Sequence, residues 1–218
     1  MEHSTELPQL SAEEIRVLGS LIEKSKTTPD YYPMSVNAIT AACNQKSARK
    51  PVVDYEESTV SNALQSLKAR SLVATAVGGG TRTIKYKHNF TTVFPLNEAS
   101  LAVLCLLFLR GPLTPGEINS NSGKLHEFVS LDSVIDSLMA LHSAEPPLVS
   151  ELPRQPGQKE KRFAHLFGTL PLEDPIAVSD EPKASPANQE LEFRLQRLEM
   201  DLAQVKEDLQ LLIRELKG

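Results

Sequence analysis

Three helical stretches run directly into a glycine-turned β-hairpin, and the same order then occurs again; nothing else in the 218 residues constrains the fold as strongly. Ser11 and Glu14 form a capping box ahead of Ile15, Leu18, Leu21 and Ile22, whose spacing predicts a first helix ending at Thr27-Thr28-Pro29. Ser35 caps a second helix carrying Val36, Ile39, Ala42 and Cys43, which fades before Pro51. A third runs from Glu56 to Leu72 with Val60, Leu64 and Leu67 on one face and Asp54 or Ser58 as its cap. Leu72 to Val77 is then β-prone, Gly78-Gly79-Gly80 turns the chain, and Thr81 to Lys87 alternates as a returning strand. This is the order of a winged helix, a relative of the helix-turn-helix whose third helix is the usual DNA reader.

The order returns with little residue identity. Asn97 to Leu109 predicts a buried helix, Thr114-Pro115-Gly116-Glu117-Ile118 starts a short one, and Ser130 to His142 supplies the third. Leu148 to Leu152 and Arg162 to Phe167 read as strands joined by a polar loop, Pro153 to Lys161. Pro171 to Asn188 is rich in Pro, Ser, Ala and acids and lacks periodicity, which predicts a linker. The expected fold is mainly α with small β-hairpins. It comprises a winged-helix domain over 1–94, a second over 95–170, a linker over 171–188 and a coiled-coil helix over 189–218. Few aromatics and no Trp leave the cores to Leu, Val, Ile and Ala, which suits helices.

In the tail, Leu191, Leu195, Leu198, Leu202, Val205, Leu209, Leu212 and Leu216 alternate steps of four and three without a break. Such a seam predicts self-association as a homodimer. With Leu191 at d and Leu195 at a, a parallel pair sets Arg194 against Glu199 and Asp201 against Lys206, both attractive. Each exposed pair contributes only about 0.2–1 kcal/mol, so leucine burial supplies the affinity. The competing expectation is that this short helix folds back onto its own domains.

The net charge of −5 is unevenly spread. From Thr40 to Phe94 eight Lys or Arg stand against three acids; from Pro171 onward the ratio is six to eleven. In the first module the third helix turns Ser61, Asn62, Gln65 and Lys68 outward. Asn and Gln read adenine edges, and Lys meets phosphate or guanine. The hairpin adds Arg82, Lys85 and Lys87, and Lys46, Arg49 and Lys50 cluster after the second helix. These residues predict contact with double-stranded DNA and a dimeric transcriptional regulator. The third helix of the second module is expected to expose Asp132, Ser133, Asp136 and Ser137, which would repel phosphate. The alternative is therefore an adaptor that uses its module surfaces to bind another protein.

No catalytic constellation can be assembled. Gly78-Gly79-Gly80 lacks a following Gly-Lys-Ser/Thr, no nucleophile elbow occurs, and the five histidines lack metal-ligand spacing. Neither an enzyme, a metal site nor a cofactor is expected. Cys43 and Cys105 have no CxxC partner, and the first residues do not form a signal peptide. The longest apolar run, Leu101 to Leu109, is about half of a membrane span. A cytoplasmic protein without membrane contact is expected.

Thr27 to Asn37, Ala42-Cys43-Asn44-Gln45-Lys46 and Arg49-Lys50-Pro51-Val52 resemble the signature of the YceH-like family of bacterial proteins. The likeness continues through Gly80 to His88, Leu109 to Glu117 and Arg154 to Phe167. It implies a bacterial, tandem winged-helix protein with a leucine-rich tail, and no established activity. After Glu117 the sequence departs from the more basic family pattern. The dense motif from Asn37 to Lys46 reads either as a partner surface or as a turn stapled by Asn44 and Gln45.

Overall fold

The computed structural model describes residues 7–76, 83–154, 160–169 and 186–217. Its first part runs α1 (Ala12–Thr27), a 3-10 turn (Pro29–Tyr31), α2 (Val36–Cys43), α3 (Glu57–Ala69), β1 (Val73–Ala76) and β2 (Lys85–His88). A short α4 (Phe90–Val93) leads into α5 (Glu98–Arg110), α6 (Pro115–Asn121), α7 (Leu131–His142), β3 (Val149–Leu152) and β4 (Arg162–His165). A long α8 (Pro186–Lys217) follows, which takes in the last three residues expected to belong to the linker; the remainder of that linker, 171–185, lies outside the described residues. The protein is mainly α with two small antiparallel hairpins, as the residue patterns predict.

Five helix starts follow from their caps; α3 instead opens at Glu56 without a side-chain cap bond, so neither Asp54 nor Ser58 caps it. Ser11, Ser35, Asn97, Thr114 and Ser130 each accept a backbone N–H three residues on, satisfying donors that a helix leaves open at its first turn. The third helix ends earlier than its apolar spacing predicts, at Ala69. Ser71 takes a left-handed conformation (φ 60°), and the Leu72 N–H returns to the Leu67 carbonyl at 2.9 Å. That closure swings Leu72 into the core, where it opens β1, and a continuing helix could not have buried it there.

The internal repeat extends to hydrogen bonds. Just before α2, Met34 exchanges both backbone bonds with Tyr86 of β2, at 3.0 and 2.7 Å. Just before α6, Leu113 does the same with Phe163 of β4, at 3.1 and 2.8 Å. Each three-helix unit thus ties the residue ahead of its second helix to the returning strand of its hairpin.

The two units share one continuous core. α1 lies between α3 and α5 and is buried on nearly every side. Gly19 allows the close approach of α1 to α5, since a Cβ there would lie 3.0 Å from both the Phe108 Cβ and the Leu109 Cδ2. α4 brings Phe90 and Phe94 against Phe108 and Phe167, with ring centroids 5.0–5.8 Å apart. These tilted and edge-on pairs stitch the end of the second unit to the junction between the two.

Candidate functional site

Of the residues expected to meet DNA, Asn62, Gln65 and Lys68 stand exposed on α3, and Ser61 is half-buried. Lys85 is half-buried and Lys87 exposed on β2, while Lys46 and Lys50 are exposed on the segment after α2. Arg82 lies outside the described residues. Asp54, Glu56 and Glu57 are also exposed at the start of α3, the end that a reading helix presents to a groove, and they oppose phosphate.

Arg49 does not belong to that surface. Its side chain is wholly buried and forks onto Glu23 of α1, with Nη1 to Oε1 at 3.0 Å and Nη2 to Oε2 at 2.6 Å. It also donates to the Ala42 carbonyl through Nε and Nη2, at 3.2 and 3.0 Å, and to Gln45 Oε1 at 2.8 Å. The guanidinium closes the end of α2 onto α1, because an unpaired Glu23 at that depth would be costly. Lys24 joins from the same helix, 3.3 Å from Glu23 and 3.2 Å from Gln45 Oε1. Burial alone would raise the Glu23 carboxyl, but the adjacent Arg49 and Lys24 charges outweigh it and hold the group at about 2.

The Asn37 to Lys46 motif does two things. Asn44 staples the following loop, donating to the Tyr55 carbonyl and accepting the Tyr55 N–H, both at 2.8 Å. Gln45 caps the buried charges and donates from Nε2 to Glu199 of α8 at 3.0 Å. The tail helix therefore does pack on its own first unit, across α2 and the 3-10 turn. Tyr31 donates its hydroxyl to Asp201, and Met200 and Ala203 are buried beneath the helix. Glu199 brings a carboxylate toward a cluster that otherwise holds Arg49 and Lys24 against Glu23 alone.

The leucine seam takes no part in that contact. Leu198, Leu202, Val205, Leu209 and Leu212 remain 54–70% exposed. The Leu191, Leu195 and Leu216 side chains lie outside the described residues.

In the second unit, α7 differs from its expected face. Ser137 is buried, its hydroxyl donating to the Ser133 carbonyl at 2.9 Å, and Ser133 is half-buried. Outward instead stand Leu131, Ile135 and Met139, spaced four residues apart, with Asp132 and Asp136 beside them and Val129 fully in solvent ahead of the helix. Val134, Leu138 and Leu141, on the adjoining side about 90° round the helix, are buried in the core.

Reactive groups are few. Burial pushes the Cys43 thiol up to about 11 and the Cys105 thiol well above its ordinary value, so neither is a thiolate near neutrality. Among the described residues no three His, Cys, Asp or Glu side chains are placed to hold a metal ion, and no helix is long and apolar enough to cross a membrane.

Residues 10–158 match the family described as protein of unknown function, DUF480. A UPF0502 protein of Shewanella woodyi is 41% identical over 216 residues, covering 94% of this chain and 99% of the relative. One from Opitutus terrae is 44% identical over 202 residues, covering 92% and 84%. The chain belongs to the UPF0502 (DUF480) family. The resemblance carried by the motifs around Tyr32, Gln45 and Arg49 is thereby established.

Two features of this UPF0502 chain emerge only on folding. The Glu23, Lys24 and Arg49 cluster was hidden because charges in a helical pattern normally mark the solvent face, whereas α1 has none to spare. The apolar row of α7 was visible as Leu131, Ile135 and Met139 at four-residue spacing, but it merges with the core row of Val134, Leu138 and Leu141. Only packing shows which row is covered.

Proposed function

We propose that this protein is a non-enzymatic protein-interaction adaptor of the bacterial cytoplasm, built from two winged-helix modules and working as a homodimer. The observation that carries this reading is the outward row of Leu131, Ile135 and Met139 on α7, flanked by Asp132 and Asp136. In a winged helix that position belongs to the nucleic-acid reader, which needs cations and hydrogen-bond donors. Apolar anchors bordered by carboxylates suit a protein segment with apolar side chains and a basic flank. The free, buried cysteines fit a reducing compartment.

A second reading, DNA binding through the first module, is favoured by the exposure of Asn62, Gln65 and Lys68 on α3 with Lys87 nearby on β2. It loses Arg49 to the core and faces the acids at the start of α3.

A photo-crosslinking residue at Ile135 in cells tests the first reading. One defined protein adduct is expected, abolished by Met139→Asp while a probe at exposed Lys68 gives none. In parallel, anisotropy titrations with mixed-sequence and genome-selected duplexes should show no binding at low salt. Tight binding that weakens steeply with salt and disappears in a Lys68→Ala, Lys87→Ala variant would replace the adaptor with the DNA reading.

A further inference from the structure

We infer that α8 is a two-faced helix: one side latches onto its own first unit, and the leucine seam on the other receives the α8 of a second copy, parallel and in register. The inference stands apart from the α7 partner surface and survives without it.

On a helix advancing by ~100° per residue, positions 200 and 203 fall opposite positions 198, 202, 205, 209 and 212. The structure shows that division. Met200 is 3% and Ala203 8% exposed against the first unit, whereas the seam residues stay more than half exposed. Fold-back and self-association are thus compatible, because they use different sides of one helix. The latch is specific: Gln45 donates to Glu199 Oε2 and Tyr31 to Asp201 Oδ1, which fixes the rotation of α8 and aims the seam at solvent.

A row of apolar side chains at heptad spacing is complementary to another row with the same spacing, and a second copy supplies one. Charge decides the orientation. In the parallel register Arg194 faces Glu199 of the second copy and Asp201 faces Lys206, each twice over the two-fold axis. The antiparallel register that matches a with d also forms attractive pairs, Glu199 with Lys206 and Arg194 with Glu215, but it sets Asp201 against Asp208 twice, a repulsion that the parallel register lacks. The latch leaves this pairing open, since each carboxylate uses one oxygen within its own chain and has a second to accept from the other copy.

The full-length protein tests both faces. Light scattering should give a dimer for the wild type and a monomer for Leu202→Asp, Leu209→Asp, with at least a hundredfold weaker association. Amide exchange in α2 should stay as slow in that monomer as in the wild type. Met200→Asp should do the reverse, speeding α2 exchange by tenfold or more while the dimer persists. Val205→Cys should form a disulfide-linked dimer on mild oxidation; Cys43 and Cys105 are buried and do not compete. A monomeric wild type, loss of both properties in either variant, or crosslinking only between Leu202→Cys and Val205→Cys chains would each overturn the proposal.

Discussion

Glu23 shows how far one side chain can change the role of another. Beside a solvent-exposed partner, Arg49 would have been one more cation in a basic stretch; beside buried Glu23 it is a fastening between α1 and α2. Glu23→Gln would leave Arg49 and Lys24 buried without their anion, at a cost of about 3–5 kcal/mol in denaturant unfolding at neutral pH. A loss below about 1 kcal/mol would mean that water reaches the cluster. Two histidines set a separate pH response. Burial, aided at His88 by the Lys26 charge, lowers His88 to about 4, and burial lowers His165 to about 4. Both also hold a buried Nδ1 without a hydrogen-bond partner. The unfolded chain takes up protons near 6.5 and the folded chain only near 4, so stability is full above pH 6.5 and falls as pH drops toward 4. Urea midpoints should decline across that window, and less so in His165→Phe, whose ring can keep the edge-on contact with Phe108.

Among elements, the α1–α5 contact decides whether the chain is two beads or one body. Gly19 gives up helix propensity, about 1 kcal/mol relative to Ala, and in return the two helices close on each other. Gly19→Ala should therefore destabilise, by about 1–3 kcal/mol, because the atoms it meets include the Phe108 Cβ, which is anchored to the α5 backbone and cannot rotate away. Thermal unfolding measures it; a gain in midpoint would show that α5 can slide. Cap positions behave differently, since they are read locally: Ser11, Ser35, Asn97, Thr114 and Ser130 all start helices where their residue types predict. The end of α3 is not legible locally, because Arg70 and Ser71 carry no stop signal and closure there depends on Leu72 reaching the core.

For the whole molecule, charge and apolar exposure point in the same direction. The chain carries −5 overall, the carboxylates at the start of α3 weaken the basic character of the first unit, and among the described residues the largest exposed apolar rows lie on α7 and α8. The α7 row is 39–47% exposed at the border of the shared core and the α8 seam 54–70% exposed, so each leaves apolar area in solvent. By itself the sequence determined what is local or periodic: the five capped helix starts, two hairpins, the heptad seam, and family membership through contiguous motifs. Capping, β-alternation and 3.6-residue spacing involve neighbours along the chain, so a one-dimensional reading suffices for them. Tertiary structure alone decided which charges are sequestered, which apolar row of α7 is covered, and which face of α8 meets its own chain. Arg49 and Glu23, or Gln45 and Glu199, are neighbours only after folding, and desolvation at that distance in sequence is set by three-dimensional packing.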